Sequence, residues 1–458
     1  MKSADLGAII LAAGKGTRMK SKHPKVLHPI AGQPMAAYPL ELTRALGCSK
    51  TVMVVGHEAD LVKDSFCDSH IDFVLQREQL GTGHAVQVAW KELEDFSGTV
   101  LLLCADVPLL RRETLEKLLH VHRTSGATVS VLSAEIAQPH GYGRIVRDGA
   151  QICSIVEEKD ASAEQKKICE INTGIFALQA PVAATLLEQL DNNNAQQEYY
   201  ITDIVELATK QGLVVCSAIL DDIHESMGVN DRLQLAAAAT LMRRRINHEH
   251  MLAGVSLEDP ESTYIDATVR IDADTYIQAG VHLHGTTYIE ADCIIETGAV
   301  ISDTRIGARS HIRAGSAIED SIIGEQCTVG PMAHLRPGTH LRGFNKIGNF
   351  VETKKAQIGM HSQASHLSYI GDAELGKNVN IGCGTITCNY DGVNKHKTII
   401  EDEVFVGSDT QFIAPVTIGR NSLIGAGSTI TKDVPPDSLA LSRVEQKVIP
   451  GWRKSKKD

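Results

Sequence analysis

The chain has 458 residues, of which 43% are hydrophobic, 22% charged and 4% aromatic, and its formal net charge is −11. This composition is typical of a folded protein of two or three domains and excludes a largely disordered chain. The net negative charge and the few aromatic side chains argue against nucleic-acid binding, and the sequence has no run of 18 apolar residues that could span a membrane.

The first apolar segment is interpreted as a buried strand rather than an export signal. Leu6–Ala13 is apolar, but Asp5 precedes it and a glycine-rich loop follows at once. The ten cysteines form no Cys-x-x-Cys pair, and Cys104 and Cys216 lie in apolar runs. We therefore predict a cytoplasmic protein with reduced, buried thiols.

Short β-branched runs alternate with helix-like stretches as far as about residue 228. The predicted strands are Ala8–Ala12, Thr51–Val55, Ile71–Leu75 and Val100–Cys104, and the predicted helices are Gln33–Leu46 and Thr82–Phe96. This alternation predicts an α/β, Rossmann-like domain with a mainly parallel, doubly wound sheet. Ligands of such sheets bind beyond the carboxyl ends of the strands.

A single long helix is predicted over Asp231–Leu252, with Asn230 or Asp231 as its N-cap. We interpret it as a connector, which divides the chain into a first domain (1–230), a linker helix (231–252) and a second domain (253–458). A short basic tail, Arg453–Asp458, ends the sequence.

Aliphatic residues recur every six positions through the second domain. The first uninterrupted series is Ile265, Ile271, Ile277, Leu283, Ile289, Ile295 and Ile301, and the pattern returns as far as Ile430. This hexapeptide repeat predicts a parallel β-helix of roughly nine coils. The phase breaks over 358–370 and 381–400, and insertions in repeat proteins collect on a binding face.

The segment Leu11–Met19, followed by Pro24-Lys25, has the chemistry of a phosphate-binding loop. It matches neither the Walker A nor the Gly-x-Gly-x-x-Gly spacing. Its small residues nevertheless allow backbone N–H groups to approach anionic oxygens, and Arg18 and Lys25 add positive charge. Asp106 follows a predicted strand, where a carboxylate could hold Mg²⁺ or, alternatively, cap a helix.

This string resembles the signature of the sugar-1-phosphate nucleotidyltransferases, and downstream motifs agree with it. The resemblance implies phosphoryl transfer assisted by Arg18 and Lys25, with Mg²⁺ held by Asp106 and Asn230. It implies that the nucleotide and the sugar nucleotide product contact Leu11, Ala12, Ala13, Gly14, Lys25, Gln76, Gly81, Thr82, Cys104, Ala105, Asp106, Gly143, Glu157, Asn172 and Asn230.

The interrupted repeats carry the second set of candidate residues. His366 lies in the string Ser365-His366-Leu367-Ser368-Tyr369. Near its ordinary pKa of about 6.5, histidine suits a general base that deprotonates an amine at neutral pH. A lone histidine would more often be structural. Arg336 and Lys354 break the apolar pattern with cationic groups that could hold a phosphate.

Together these motifs make the whole chain resemble the bifunctional N-acetylglucosamine-1-phosphate uridyltransferases/glucosamine-1-phosphate N-acetyltransferases. The resemblance implies a left-handed β-helix, a homotrimer with acetyltransferase sites between subunits, and the substrates glucosamine-1-phosphate, N-acetylglucosamine-1-phosphate, UTP and acetyl-CoA. It implies His366 as the base and an amino-sugar-phosphate site of Arg336, Lys354, Tyr369 and Asn380. It implies an acetyl-CoA site of Cys383, Asn389, Tyr390, Ser408, Ala426 and Arg443.

The sequence departs from the family pattern at two places, and two alternative functions stay open. Cys104-Ala105 stands where Tyr-Gly is usual, and Cys383 stands where Ala is usual; we expect Cys383 to be a small buried thiol. One alternative is a single-activity nucleotidyltransferase whose β-helix only assembles subunits. The other is a scaffold protein with decayed sites, which the intact Arg18, Lys25, Asp106 and His366 argue against.

Overall fold

The computed structural model describes residues 6–67 and 71–453. Most of the basic tail, from Lys454 onward, therefore lies outside the described residues. The chain forms two compact units, Met1–Met242 and Arg243–Asp458, and the division falls inside one long helix. The finer division of the chain at 230 and 252 stays a prediction.

The first unit contains most of the helices. Its helices are α1 (Ala37–Ala45), α2 (Ala59–Ser65), α3 (Thr82–Trp90), α4 (Arg112–Thr124), α5 (Ala180–Leu187) and α6 (Asp203–Lys210), and α7 (Arg232–Leu252) runs into the second unit. Its strands are β1 (Leu6–Leu11), β2 (Pro29–Ile30), β3 (Gln33–Pro34), β4 (Lys50–Val55), β5 (Asp72–Leu75), β6 (Thr99–Cys104), β7 (Val129–Glu135), β8 (Arg144–Asp148), β9 (Gln151–Val156), β10 (Glu170–Gln179) and β11 (Val215–Ile219).

The main sheet has the strand order β11-β7-β10-β6-β1-β4-β5. β1, β4, β5 and β6 are parallel, as the sequence predicted, but β10 runs antiparallel to both β6 and β7. The sheet is therefore mixed but mainly parallel, as predicted, since β10 alone runs against the other six strands of this order. The reason is the antiparallel hairpin of β8 and β9, which reverses the chain before β10 enters the sheet.

The four predicted strands are all present, but the two predicted helices are shorter than expected. The first begins at Ala37, because Gln33–Pro34 pairs with Pro29–Ile30 in a tight hairpin. The second ends at Trp90 and continues as a 3-10 turn over Lys91–Leu93. The connector helix begins after Asp231, whose carboxylate accepts a hydrogen bond from the N–H of Gln234 at 2.8 Å and so caps it.

Helices cover both faces of the sheet. Ile9 of β1 packs into a cluster with residues of α3, α5 and α6, whereas Ala8 and Ile10 pack into a second cluster with residues of α1, α2 and α4. This alternation follows from the two-residue period of a strand. It leaves the ends of the strands, rather than the faces of the sheet, available for ligands.

The second unit is a parallel β-helix, and its strands are short. They are β12 (Ser256–Leu257), β13 (Tyr264–Ile265), β14 (Arg270–Ile271), β15 (Tyr276–Ile277), β16 (His282–His284), β17 (Tyr288–Ile289), β18 (Ile294–Ile295), β19 (Val300–Ser302), β20 (Arg305–Ile306), β21 (His311–Ile312), β22 (Ala317–Glu319), β23 (Ile322–Ile323), β24 (Thr328–Val329), β25 (His334–Leu335), β26 (His340–Leu341), β27 (Lys346–Ile358), β28 (Gln363–Leu375), β29 (Asn380–Ile381), β30 (Ile386–Cys388), β31 (Thr398–Ile400), β32 (Phe405–Val406), β33 (Gln411–Ile413), β34 (Val416–Ile418), β35 (Leu423–Ile424), β36 (Thr429–Ile430) and β37 (Leu439–Ala440).

Each strand pairs in parallel with the strand one coil later. The first and last residues of one inward ladder, Ile265 and Ile430, are nine coils apart. The ladder runs through Ile265, Leu283, Ile301, Ile318, Leu335, Thr353, Ile370, Thr387, Phe412 and Ile430. The inward aliphatic residues are buried, as the six-residue repeat predicted. Among the described residues, no helix is both long enough and apolar enough to cross a membrane.

The two phase breaks differ in structure. Over 358–370 the coils stay in register, because β27 pairs with β28 along its length, and only the residue types change. The break over 381–400 is a true insertion: Thr387 pairs with Phe412, and the loop between them folds back through a bridge between Tyr390 and Lys395.

Candidate active sites

A cavity of about 340 Å³ lies where two neighbouring strands of the mixed sheet end. β1 and β6 run side by side as far as Leu11 and Cys104, so the loops that follow them meet at one edge of the sheet. The predicted nucleotide-binding residues that line this cavity are Leu11, Ala12, Ala13, Gly14, Lys25, Gln76, Gly81, Thr82, Cys104 and Asp106.

The Lys25 ammonium is bound by oxygen atoms from two distant parts of the chain. Its Nζ donates to Oδ2 of Asp106 at 2.5 Å and to Oδ1 of Asn230 at 3.1 Å. The carbonyl of Asp106 in turn accepts from the N–H of Val229 at 2.9 Å. Since the Lys25 side chain is only 10% exposed, solvent screens this ion pair weakly.

The same two oxygen atoms suit a divalent cation. Carboxylate and amide oxygens are the ligands that Mg²⁺ prefers, and both already face one positive charge, the Lys25 ammonium. Across residues 6–67 and 71–453, no group of three or more His, Cys, Asp or Glu side chains could hold a metal. A cation bound by Asp106 and Asn230 would therefore take its other ligands from substrate phosphates and water, as Mg²⁺ commonly does.

Gly16 allows Lys25 to reach this position. Its φ is +59°, and a Cβ atom there would lie 2.6 Å from Cβ of Lys25. An L-residue would therefore be strained in its backbone and would also displace the lysine. The glycine-rich loop is thus fitted to a lysine side chain as well as to a ligand.

Gln76 also lines the cavity, is 5% exposed, and has two polar neighbours around its side-chain Nε2. Nε2 donates to the carbonyl of Gly81 at 3.1 Å and lies 3.2 Å from Nδ1 of His84. The hydroxyl of Thr82 accepts from the N–H of Ile201 at 3.2 Å. The carbonyl of Gln76 and the proton of Thr82 stay available to a base or a ribose.

The sequence missed four residues that line the cavity: two apolar residues, Val26 and Ala85, and two polar ones, Gln79 and Glu198. Gln79 donates from Nε2 to the carbonyl of Ala13 at 2.6 Å, and Glu198 lies against Gly81. Glu198 lies in the segment Asn194–Asp203, in which the sequence predicted no role for any residue. Gln79 had no signal beyond its closeness to Gln76.

The family resemblance assigns Gly143, Glu157 and Asn172 to the sugar of the product, and these residues form a second group. The N–H of Asn172 donates to the carbonyl of Gly143 at 2.9 Å, and a Cβ on Gly143 would lie 3.3 Å from Oε1 of Glu157. Thr202 donates to the same Glu157 oxygen at 3.2 Å. Burial is the main cause that raises the pKa of Glu157, and the hydrogen bond from Thr202 opposes it.

Two other predicted residues lie outside the cavity lining. Arg18 is exposed on a 3-10 turn (Thr17–Met19). Ala105 is fully buried in the cluster beneath the sheet, with its N–H donating to the carbonyl of Leu11 at 3.0 Å. The methyl group that distinguishes Ala105 from glycine therefore packs in the core.

In the β-helix, one exposed column of side chains brings most of the other predictions together. β27 and β28 pair Asn349 with His366, and Nδ1 of His366 lies 3.3 Å from Oδ1 of Asn349. The same ladder places Cys383 on the coil after His366, since Gln363 pairs with Asn380 and Tyr369 with Ile386. Successive coils lie about 4.8 Å apart.

The column continues over two more coils. The carbonyl of Cys383 accepts from the N–H of Asp409 at 2.7 Å, and the carbonyl of Ser408 accepts from the N–H of Gly427 at 2.8 Å. Ser408 and Ala426 therefore follow Cys383 at the same corner. Cys383 is exposed, so the expectation of a buried thiol is wrong: at a corner position the side chain points to solvent.

Positive charge collects beside this column. Nη1 of Arg336 donates to Oε1 of Glu352 at 2.7 Å, and Glu352 pairs with Tyr369 in the ladder. The Lys395 ammonium is close enough to Lys354 that it lowers the pKa of Lys354. Lys395 was missed because it lies in the insertion, where the repeat gives no register.

The insertion loop is organised by Asp391. Its carboxylate accepts from the N–H groups of Val393 and Asn394 at 2.8 and 2.6 Å and from Nε2 of His396 at 2.7 Å. Hydrogen bonds to the charged form, mainly that from Asn394, hold the pKa of Asp391 at about 2. The remaining predicted residues flank this loop or the column.

The remaining predicted residues are Asn380, Asn389, Tyr390 and Arg443. Asn389 donates to the carboxylate of Asp372, and the side chain of Asn380 accepts from Gln363 at 3.0 Å. Tyr390 is exposed, and Arg443 lies over the coil at Gly425 and Gly427.

The chain matches three family descriptions. Residues 8–167 match the MobA-like NTP transferase domain, residues 263–399 the GMPPB C-terminal domain, and residues 397–432 the bacterial transferase hexapeptide repeats. Fold and site thus define the class of the protein, a nucleotidyltransferase domain joined to a hexapeptide β-helix.

Its full-length relatives narrow this class. The chain is 60% identical over 453 residues to the bifunctional protein GlmU of Syntrophotalea carbinolica, covering 99% of this chain and 98% of the relative. It is 55% identical to that of Pelobacter propionicus and 54% identical to that of Geotalea uraniireducens, covering 98% and 100% of those relatives. The chain belongs to the GlmU family.

Proposed function

We propose that the two activities of this GlmU-family enzyme take place at two separate sites. The chain is a bifunctional enzyme that makes UDP-N-acetylglucosamine. One site acetylates glucosamine-1-phosphate with acetyl-CoA, and the other transfers UMP from UTP to N-acetylglucosamine-1-phosphate and releases pyrophosphate. The observation that carries this assignment is the column of His366, Cys383, Ser408 and Ala426, which a purely structural β-helix does not require.

Uridylyl transfer takes place at the cavity beside Lys25. A phosphate oxygen of the sugar phosphate attacks the α-phosphorus of UTP, and the bond to pyrophosphate breaks. The nucleophile is already ionised, so positioning and charge neutralisation supply the catalysis. Lys25 binds the phosphates from inside the cavity, and Arg18 reaches them from the exposed turn. Mg²⁺, held by Asp106 and Asn230, neutralises phosphate charge when bound.

Acetyl transfer takes place at the exposed column of the β-helix. With Nδ1–H of His366 donating to Asn349, the free lone pair on Nε2 accepts a proton from the substrate ammonium group. The neutral amine then attacks the thioester carbonyl, the C–S bond breaks, and the departing CoA thiolate takes up the proton that the new amide nitrogen loses. Arg336, Lys354 and Lys395 hold the sugar phosphate, since three cations at one place favour a dianion.

The partners and location follow from these assignments. We propose that the chain acts as a homotrimer with each acetyltransferase site completed by a neighbouring subunit, because the exposed column lies open on a single chain. Acetyl-CoA and UTP are cytoplasmic metabolites, which supports a cytoplasmic enzyme. A single-activity nucleotidyltransferase with a structural β-helix is the alternative.

A split assay on the purified protein with Mg²⁺ tests the proposal. Glucosamine-1-phosphate with acetyl-CoA should release free thiol, and N-acetylglucosamine-1-phosphate with UTP should release pyrophosphate. His366→Ala should lower only thiol release, by about 10²–10⁴-fold, and Lys25→Met should lower only pyrophosphate release, by about 10²–10³-fold. Pyrophosphate release without thiol release would establish the single-activity alternative.

A further inference from the structure

Arg144, at the start of β8, is among the largest side chains that the fold buries completely, with 1% of its surface exposed. A buried guanidinium is costly unless its N–H groups are paired, and it is pre-organised for planar, forked hydrogen bonding. The burial of Arg144, which lies where a loop meets a strand, must therefore be explained by the groups that its guanidinium contacts.

The guanidinium joins two neighbouring segments of chain. Nη1 donates to the carbonyl of Tyr142, and Nη2 donates to Oε2 of Glu158 at 2.6 Å. Glu158 also accepts from the N–H of Gly141 at 3.3 Å. The loop before β8 and the segment after β9 are thus fastened to each other through one buried cation.

Each fastened segment carries a proposed sugar-contacting residue. Gly143 lies between Tyr142 and Arg144, and Glu157 immediately precedes Glu158. The carbonyl of Gly143 also accepts from Asn172, so the arrangement reaches the third sugar-contacting residue. A shift of either segment would change the gap between Gly143 and the Glu157 carboxylate, which is tight enough that a Cβ on Gly143 would lie 3.3 Å from it.

We propose that Arg144 is a positioning residue for the sugar-phosphate half of the uridylyl-transfer site. It sets the spacing of Gly143, Glu157 and Asn172 without touching substrate. This role rests on the proposed uridylyl-transfer function. The Lys25 end of the site has its own supports in Asp106 and Asn230, so Arg144 acts on sugar-phosphate binding and not on UTP binding.

The charges around Glu157 support this role. Burial and the neighbouring carboxylate of Asp160 raise the pKa of Glu157, whereas the Thr202 hydroxyl and the Arg144 guanidinium lower it. Asp203 and Tyr200 also face Glu157. Arg144 is the cation that opposes these acidic groups, so its removal should leave Glu157 protonated to a higher pH.

The test compares Arg144→Met and Arg144→Lys with a matched control, Arg147→Met. Arg147 lies on the same strand and is also ion-paired, with Glu170 at 2.6 Å. For Arg144→Met we expect KM for N-acetylglucosamine-1-phosphate to rise by about tenfold or more while KM for UTP stays unchanged. The acid limb of kcat/KM should move to higher pH, and Arg144→Lys should restore part of both changes.

Acetyl transfer by the same samples reports the amount of intact protein, because that site lies in the other unit, and an unchanged KM for UTP reports that the first unit is folded. If Arg144→Met does not fold, Glu158→Gln, at a partly exposed position, decides the question with the same KM comparison. Equal rises in both KM values, or wild-type values with an unmoved pH profile, would overturn the inference. A wild-type protein without pyrophosphate release would instead refute the proposed function.

Discussion

The thiols of Cys104 and Cys383 lie in the two candidate sites and differ in their surroundings. Burial, with a further contribution from the Asp106 charge, raises the pKa of Cys104 to about 12. Its thiol therefore stays protonated, and slow to react, at neutral pH. Cys383 is exposed at a corner of the β-helix, one coil from His366.

Alkylation should therefore stop only one activity. We expect N-ethylmaleimide to abolish acetyl transfer by blocking the column at Cys383, to spare uridylyl transfer, and to act more slowly when CoA covers the thiol. Cys383→Ala should be active and resistant. Peptide mapping identifies the adduct, with exposed Cys67 and Cys169 as internal controls. Equal sensitivity of Cys383→Ala would place the reactive thiol elsewhere.

Asp203, the first residue of α6, is a carboxylate in an unfavourable environment. Burial and the nearby charges of Asp191, Glu206, Glu157 and Asp160 raise its pKa from 3.8 to about 6. The folded state thus binds a proton more tightly than the unfolded state. Ionisation of Asp203 therefore lowers the free energy of unfolding progressively as the pH rises from about 4 to 6. Above pH 6 this destabilisation has reached its full size.

Asp203→Asn should stabilise the first unit at pH 8 by about 1 kcal/mol and have little effect near pH 4. The pKa shift alone would give a larger gain, but partial exposure and the lost favourable charge at the helix N-terminus reduce it. Urea unfolding followed by the fluorescence of buried Trp90 measures this. Asp148→Asn, at an exposed position, is the control; the same gain at both pH values would contradict the explanation.

At the scale of the element, the insertion loop that follows β30 behaves as a small unit built around Asp391. Three groups of the loop hydrogen-bond to one carboxylate, and both Tyr390 and Lys395 of the loop are exposed. Because its pKa is held at about 2, Asp391 stays ionised, and keeps the loop folded, until the pH falls through about 2.

Asp391→Ala should loosen the loop without unfolding the β-helix. We expect KM for glucosamine-1-phosphate to rise several-fold, because Lys395 is no longer held beside Lys354, while uridylyl transfer is unchanged. Initial rates of thiol release measure the effect. Val393→Ala, at an 82% exposed tip of the same loop, should be silent. An unaltered KM in Asp391→Ala would exclude a role for the loop in phosphate binding.

At the scale of the whole molecule, the residues that this chain contributes to each candidate site belong to one compact unit. The residues around Lys25 belong to Met1–Met242, and the column at His366 belongs to Arg243–Asp458. Within one chain, no described residue is shared between the two sites. We therefore expect the acetylated sugar phosphate to leave one site before it enters the other.

Two inactive variants should then complement each other. A mixture of Lys25→Met and His366→Ala should convert glucosamine-1-phosphate, acetyl-CoA and UTP to UDP-N-acetylglucosamine, although neither variant does so alone. Chromatographic detection of the sugar nucleotide over time measures the recovery, with two equal portions of one variant as the control. No recovery in the mixture would mean that the intermediate is passed on without release.

Much of the architecture could be predicted because it depends on local periodicity. A six-residue aliphatic repeat has one stable solution, in which every sixth side chain points inward, and the nine coils followed from counting. The four parallel strands near the nucleotide site were equally clear as short apolar runs. The antiparallel β10 was not, because a strand buried on both faces has the same sequence pattern in either direction.

The identities of the site residues and their final arrangement have different origins. Motif chemistry picked out Lys25, Asp106 and His366, because few side chains carry the required charge or pKa. Sequence spacing could not place Asn230 within 3.1 Å of Lys25, Lys395 beside Lys354, or Cys383 in the open, nor show that Arg144 fastens Gly143 to Glu157. Those contacts join residues far apart in the chain or inside an insertion, so only the packing of strands and coils sets them.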